Sequence, residues 1–164
     1  MIEIVPFSRS HQAGVIDLIL SIQQGEFEFP ISVEEQPDLL DIPGFYQQGR
    51  GGFWVALADG EVVGTIGLRD IGNQQGALRK MFVKASHRGK EQGVASRLLE
   101  ELISSATSGG VRDVFLGTTE KFVAAHRFYE KNGFVQIPAA ALPVAFPRMA
   151  LDTRFYHRAL ARYS

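Results

Sequence analysis

Apolar and polar residues alternate at Ile2, Glu3 and Ile4 before Pro6, the pattern of a short first strand. The period then lengthens. Val15, Leu18, Ile19 and Ile22 follow helical spacing, and Ser8 or Ser10 stands where a helix N-cap is needed. From Gln23 to Gly52 the periodicity lapses among Pro30, Pro37, Pro43 and several glycines. This stretch predicts a long loop with one short helix around residues 33–40, and loops of that length are often functional. Its aromatic residues, Phe27, Phe29, Phe45 and Tyr46, either line an acceptor pocket or cover the sheet; covering is the simpler reading.

Regularity returns at Phe53. Residues 53–57 read as a strand, Asp59-Gly60 as a tight turn and residues 61–68 as the returning strand, since an Asp-Gly pair between β-rich runs signals a hairpin. After a loop containing Gly72, Asn73 and Gly76, residues 78–83 complete a three-stranded antiparallel meander. The pattern then becomes helical at Val94, Leu98, Leu99, Leu102, Ile103 and Ala106, with Gly109-Gly110 as the stop. A strand over residues 111–118 follows, so strand, helix and strand imply a right-handed crossover and a parallel pair. A second helix over residues 121–131 ends at Asn132-Gly133, residues 134–137 resume as a strand, and a Pro/Ala-rich bridge leads to a last strand near residues 148–155. The expected fold class is a mixed α/β sheet in one domain spanning residues 1–164.

Composition narrows the function classes. In 164 residues, 17 basic side chains balance 18 acidic ones for a net charge of −1, which offers no general attraction for nucleic acid or an anionic membrane. Cysteine is absent, which excludes disulfides, thiol nucleophiles and Cys-ligated zinc. The four histidines, His11, His87, His126 and His157, lie far apart without metal-ligand spacing, so no metal is expected. No G-x-S-x-G elbow is present. The N-terminus lacks the basic and apolar regions of a signal peptide, no run approaches the roughly 18 apolar residues of a membrane span, and the expected location is cytoplasmic.

The richest local signal is His87-Arg88-Gly89-Lys90-Glu91-Gln92-Gly93-Val94-Ala95-Ser96, between a strand and a long amphipathic helix. A helix start presents unpaired N–H groups and the positive end of the peptide dipoles, which together favour an anion. Gly89 and Gly93 let a phosphate approach the backbone, and Arg88 and Lys90 add charge; the alternative is a capped surface turn. The dinucleotide G-x-G-x-x-G and the Walker G-x-x-x-x-G-K-[ST] are both missing, and the strand feeding the loop ends an antiparallel meander.

The stretch from Met81-Phe82-Val83 through Arg88-Gly89-Lys90, Gly93-Val94-Ala95 and Leu98-Leu99 resembles the acyl-CoA-binding motif of the GNAT acetyltransferase superfamily, usually written Q/R-x-x-G-x-G/A. His126 to Phe134, with Tyr129 and the closing Gly133-Phe134, is similar to its second signature. Three departures stand out. Glu91 and Gln92 intervene before Gly93, so that Lys90 takes the Q/R position; Phe122 replaces an asparagine often found at the start of the tyrosine helix; and no acidic residue lies on the strand over residues 78–83, where some members keep a base.

The resemblance implies a GNAT-like fold with splayed central strands and acetyl-CoA as co-substrate between them. Backbone groups of Met81, Phe82 and Val83 would meet the pantetheine arm and polarise the thioester carbonyl. The loop residues Arg88, Gly89, Lys90, Gln92, Gly93, Val94, Ala95 and Ser96 would hold the pyrophosphate, with Phe128 beside the cofactor. The implied reaction is direct acetyl transfer to a primary amine of a small molecule or peptide. Tyr129 is the expected proton donor to the departing sulfur, against the alternative of a core tyrosine. Glu120, at the end of a parallel strand, is a candidate base or a stabiliser of its helix start. His126 reads more simply as structural, and Glu26, Glu28 and Glu34 either bind a cationic substrate or are solvated. The rival from another class is a non-catalytic acyl-CoA sensor; a further one is transfer of another acyl group or to oxygen. A homodimer is a candidate arrangement, with Phe155 and Tyr156 as its contact.

Overall fold

The structure, a computed structural model, describes residues 1–89 and 93–160. Strand β1 (Ile2–Pro6) is followed by a 3-10 turn (Arg9–His11) and α1 (Gln12–Leu20). Ser8 is the cap: its N–H donates to His11 Nδ1 at 3.1 Å while the His11 N–H donates to the Ser8 carbonyl at 2.9 Å. Helix α1 does not stop at Leu20. It widens into a π-helical stretch (Ser21–Glu26), where the Phe27 N–H reaches back five residues to the Ile22 carbonyl. That widening breaks the apolar period and buries the amide of Gln23, which explains why the sequence reads as loop from this point.

The expected single short helix is two: α2 (Pro37–Leu40) and α3 (Ile42–Phe45), each with proline at its start. Leu39, Ile42 and Tyr46 are fully buried beside Val15, Ile19 and Phe53, so this segment covers one face of the sheet.

The meander is β2 (Gly52–Ala58), β3 (Glu61–Gly72) and β4 (Gln75–Val83). Asp59 and Gly60 both take positive φ (50° and 84°), as the turn chemistry predicts. The second turn is tighter than expected. Asn73 and Gln74 are its two left-handed residues (54° and 61°), so β4 begins at Gln75 and includes Gly76, whose missing side chain leaves room for Leu68. Helix α4 (Val94–Ser108) packs its Leu98, Leu99 and Leu102 face on the sheet opposite α1. Then come β5 (Asp113–Thr118), α5 (Val123–Lys131) and β6 (Val135–Ile137).

The last strand, β7, runs from Arg154 to Ala159 rather than over residues 148–155. Asp152 is the reason. Its carboxylate accepts the Met149 N–H at 3.1 Å and its own N–H donates to the Met149 carbonyl at 3.0 Å, closing a turn that delays the strand. The seven strands lie in the order β1-β2-β3-β4-β5-β7-β6. Because β7 sits between β5 and β6, Phe155 and Tyr156 are buried (4% and 0% exposed), and the expected subunit contact at those two residues is corrected: they are core.

The feature that positions the site is the pairing of β4 and β5. They are parallel and bonded only at Gln75–Asp113, Gly76–Val114 and Ala77–Phe115. Beyond that point β4 continues to Val83 on β3 and β5 continues to Thr118 on β7, so the two strands part.

Candidate active site

Where the strands part lies a cavity of about 660 Å³. Its floor is β4 from Leu78 to Val83 and the end of β5 at Leu116, Gly117 and Thr118; α5 supplies Phe128 and Tyr129, and the segment after α1 supplies Phe27 and Phe29. Phe27 and Phe29 meet Phe122 edge-on, with ring centroids 4.6 and 5.8 Å away. Phe122, the residue in place of the usual asparagine, thus closes an aromatic wall between the two sides. Phe27 and Phe29 line the cavity, whereas Tyr46 and Phe45 belong to the cover over the sheet.

The middle of β4 is bulged. Thr65 pairs with Phe82 and Gly67 with Arg79, leaving one residue of β3 opposite two of β4. Lys80 absorbs the extra residue with φ +56°, and the Thr65 hydroxyl donates to its carbonyl at 2.7 Å. A bulge cancels the alternation of a strand, so the neighbours Arg79 and Lys80 reach the same carboxylate, Asp38 of α2, at 3.9 and 3.7 Å. Lys80 Nζ also donates to Gln36 Oε1 at 2.5 Å, and the Tyr46 hydroxyl donates to Asp38 at 2.5 Å. Gln36 and Gln23 exchange reciprocal amide bonds of 2.9 and 3.0 Å, tying the π-helical stretch to this cluster. Burial pulls Lys80 down to about 8 despite Asp38, and pushes the Tyr46 hydroxyl well up.

At the opposite end, Arg88 donates through Nε to the Val83 carbonyl (2.7 Å) and through both terminal nitrogens to Glu26 (2.7 and 2.8 Å). Its guanidinium therefore straps the loop to the end of the π-helical stretch instead of standing free, and it holds Glu26 below the usual carboxylate range. Gly89 and Gly93 adopt φ of +108° and +64°, conformations that favour glycine. Gly89 and Ala95 line the cavity, Val94 is buried in the core beneath it, and Ser96 is exposed on the first turn of α4. Lys90 and Gln92, with Glu91, lie outside the described residues.

Tyr129 is a core residue, packed against Phe134 and Tyr156, that also forms part of the cavity wall, and its hydroxyl has no hydrogen-bond partner among the described residues. Burial pushes that hydroxyl well above the ordinary tyrosine value, so it keeps its proton. Glu120 is not brought to the cavity: its exposed carboxylate stands 3.5 Å from Arg154 Nη2. His126 is buried and structural. Nδ1 faces the Arg154 guanidinium at 3.1 Å and must accept, leaving Nε2–H to donate to the Thr119 carbonyl at 2.9 Å. Glu28 and Glu34 are exposed and off the cavity wall.

The carboxylate that does face the cavity from the β5 side is Asp152, which the sequence reading missed. It stands over Gly117, so close that a methyl group there would meet Oδ2 at 2.5 Å. Burial raises its pKa against the opposing pull of Arg79, Arg148 and Lys80. An acid thirty-four positions after the end of β5, inside the stretch expected to be the last strand, carries no local motif. Arg79-Lys80 did carry a signal, as two consecutive charges inside a strand are incompatible with regular alternation.

An open mixed sheet whose two parallel strands part beside a glycine-flanked helix start is the fold that the motif resemblance implied. The model of the acetyltransferase (GNAT) family matches residues 16–134. The chain is 36% identical over 104 residues to N-acetylaspartate synthetase of Xenopus tropicalis, covering 61% of this chain and 37% of that protein. A solved acetyltransferase of GNAT family from Staphylococcus aureus Mu50 superposes with a TM-score of 0.94 at 38% identity, covering 98% of this chain and 100% of the other. An acetyltransferase from Streptococcus agalactiae 2603 superposes with a TM-score of 0.92 at 33% identity, covering 97% and 98%. The chain belongs to the GNAT acetyltransferase family. It spans about a third to a half of the length of the curated relatives it matches. Among the described residues, no helix is long and apolar enough to cross a membrane.

Proposed function

We propose that this protein transfers the acetyl group of acetyl-CoA directly to the primary amine of a small molecule or peptide. The parting of β4 from β5 carries the reading. Beyond Ala77 the β5-facing edge of β4 has no partner strand, so its backbone donors and acceptors are available to an extended amide-bearing arm. The N–H groups opening α4, approached over Gly89 and Gly93, suit a diphosphate. The residues present thus fit acetyl-CoA, which supplies an activated acyl carbon and a thiolate leaving group.

The protein's own groups supply the rest. A backbone N–H near Met81 or Phe82 polarises the thioester carbonyl. Asp152, whose raised pKa makes it a better proton acceptor than an exposed carboxylate, takes the proton of the substrate ammonium. The freed nitrogen bonds to the acyl carbon, the carbon–sulfur bond breaks, Tyr129 gives its proton to the sulfur, and the second proton lost by the nitrogen as the amide forms restores the Tyr129 hydroxyl. The name of the Xenopus relative describes an N-acetylated amine, the product of this class of reaction.

Acetyl-CoA should raise the melting temperature by binding the native state, and acetyl-CoA with an amine panel should release CoA thiol. No thermal shift at saturating acetyl-CoA refutes the reading. Binding without turnover on any amine would return the protein to the non-catalytic sensor class.

A further inference from the structure

Resting on that reading, we infer that the acceptor carries a carboxylate beside its amine, an amino acid or close derivative, and that Arg79 and Lys80 receive the carboxylate while Asp152 receives the ammonium. The cavity is mostly apolar, yet Arg79 and Lys80 lie in its wall with side chains only 11% and 9% exposed. Two cations there share the single carboxylate of Asp38, at distances too long for direct hydrogen bonds. Their remaining contacts are neutral: Gln36 on Lys80, and the Met149 sulfur 3.3 Å from Arg79.

Arg148 is exposed, and Glu35 on the wall is exposed and accepts from Ser32, so the buried charges at this end are Arg79 and Lys80 against Asp38 and Asp152. Once Asp152 is engaged by the ammonium, one positive charge is left over. A desolvated surplus positive charge is costly, and an anionic ligand is what offsets it. A polyamine would bring further positive charge against Arg79 and Lys80 in a medium where such repulsion is weakly screened. The bulge at Lys80 is the device that makes the arrangement: a regular strand would turn one of the two cations to the opposite face of the sheet, toward α4.

The test is a matched acceptor panel: free amino acids, their α-amides, the corresponding decarboxylated amines, and spermidine, each with acetyl-CoA and thiol release as readout. Free amino acids should be the acetylated set, with kcat/KM at least tenfold above the amides and amines. Arg79→Met and Lys80→Met should each raise the amino-acid KM at least tenfold and shrink the acid-over-amide preference, with the Kd for CoA unchanged and Arg79→Lys restoring part of the loss. Equal rates on acids and amides, or preference for spermidine, overturns the inference and leaves the transferase reading intact. If no amine is turned over while CoA binds, the transferase reading fails. Calorimetric binding of the N-acetylated amino acids against their methyl esters then decides the anion site alone: tighter acids support it, and equal or absent binding overturns it. A variant that melts more than 10 °C early is replaced by Arg79→Gln or Lys80→Gln.

Discussion

Replacing Lys80 by Met should stabilise the protein at neutral pH while impairing acceptor binding. Lys80 is held at a pKa of about 8 against 10.5 when exposed, chiefly by burial, with Arg79 adding repulsion and Asp38 and Asp152 opposing it. A depression of that size corresponds to about 3 kcal/mol of differential cost for the charged form. Met fills a similar volume without charge but forfeits the bond to Gln36; the attraction of Asp38, which keeps Tyr46 and Arg79, is already contained in the depressed value. The lost bond offsets about 1–2 kcal/mol, so the net gain at pH 7 is about 1–2 kcal/mol.

The pH dependence has a definite sign. Between pH 8 and 10 the unfolded chain keeps the Lys80 proton and the folded one has released it, so wild-type stability rises with pH by up to about 1.4 kcal/mol per unit. The variant lacks that contribution, and its advantage should shrink from pH 8 to 10. Urea unfolding of both proteins at half-unit steps from pH 6.5 to 10 measures the difference, and groups common to both cancel. A Lys80→Met variant less stable at pH 7, or a difference constant across the range, refutes the buried-cation argument.

Tyr129→Phe should lower the rate of thiol release by a factor of ~10² or more with the Kd for CoA unchanged, read by single-turnover kinetics and calorimetry. Gly117→Ala places a methyl on the Asp152 carboxylate, so kcat should fall at least tenfold and the acid limb of the pH profile should move, while the fold survives by circular dichroism. Gly93→Val forces a β-branched residue to φ +64° and should weaken CoA binding at least tenfold without unfolding the sheet. For a carboxylate acceptor, KM should rise above pH 8 as Lys80 loses its charge, with the CoA Kd flat through that interval.

Much of the fold was legible because it rests on local rules. Asp59-Gly60 marked the hairpin, Leu98, Leu99 and Leu102 marked α4, and the strand–helix–strand order marked the parallel pair. What escaped depends on backbone irregularity or distance. The π-helical stretch from Ser21 to Glu26 hides a buried Gln23 behind a broken period. The bulge at Lys80 reverses a side chain that regular alternation would put on the other face. Asp152 meets Gly117 only because β7 inserts between β5 and β6, a topology that no short window of sequence encodes. Tyr129, chosen by its Gly133-Phe134 context, lines the cavity, while Glu120, chosen by its place after β5, is engaged with Arg154.

The most direct test is a crystal structure with coenzyme A. The pantetheine arm should run between Met81–Val83 of β4 and Leu116–Thr118 of β5, with the diphosphate over the first turn of α4 and the sulfur within hydrogen-bond reach of the Tyr129 hydroxyl. Ligand bound on another surface, with the space between those strands filled by protein side chains, would contradict the transferase mechanism at its root.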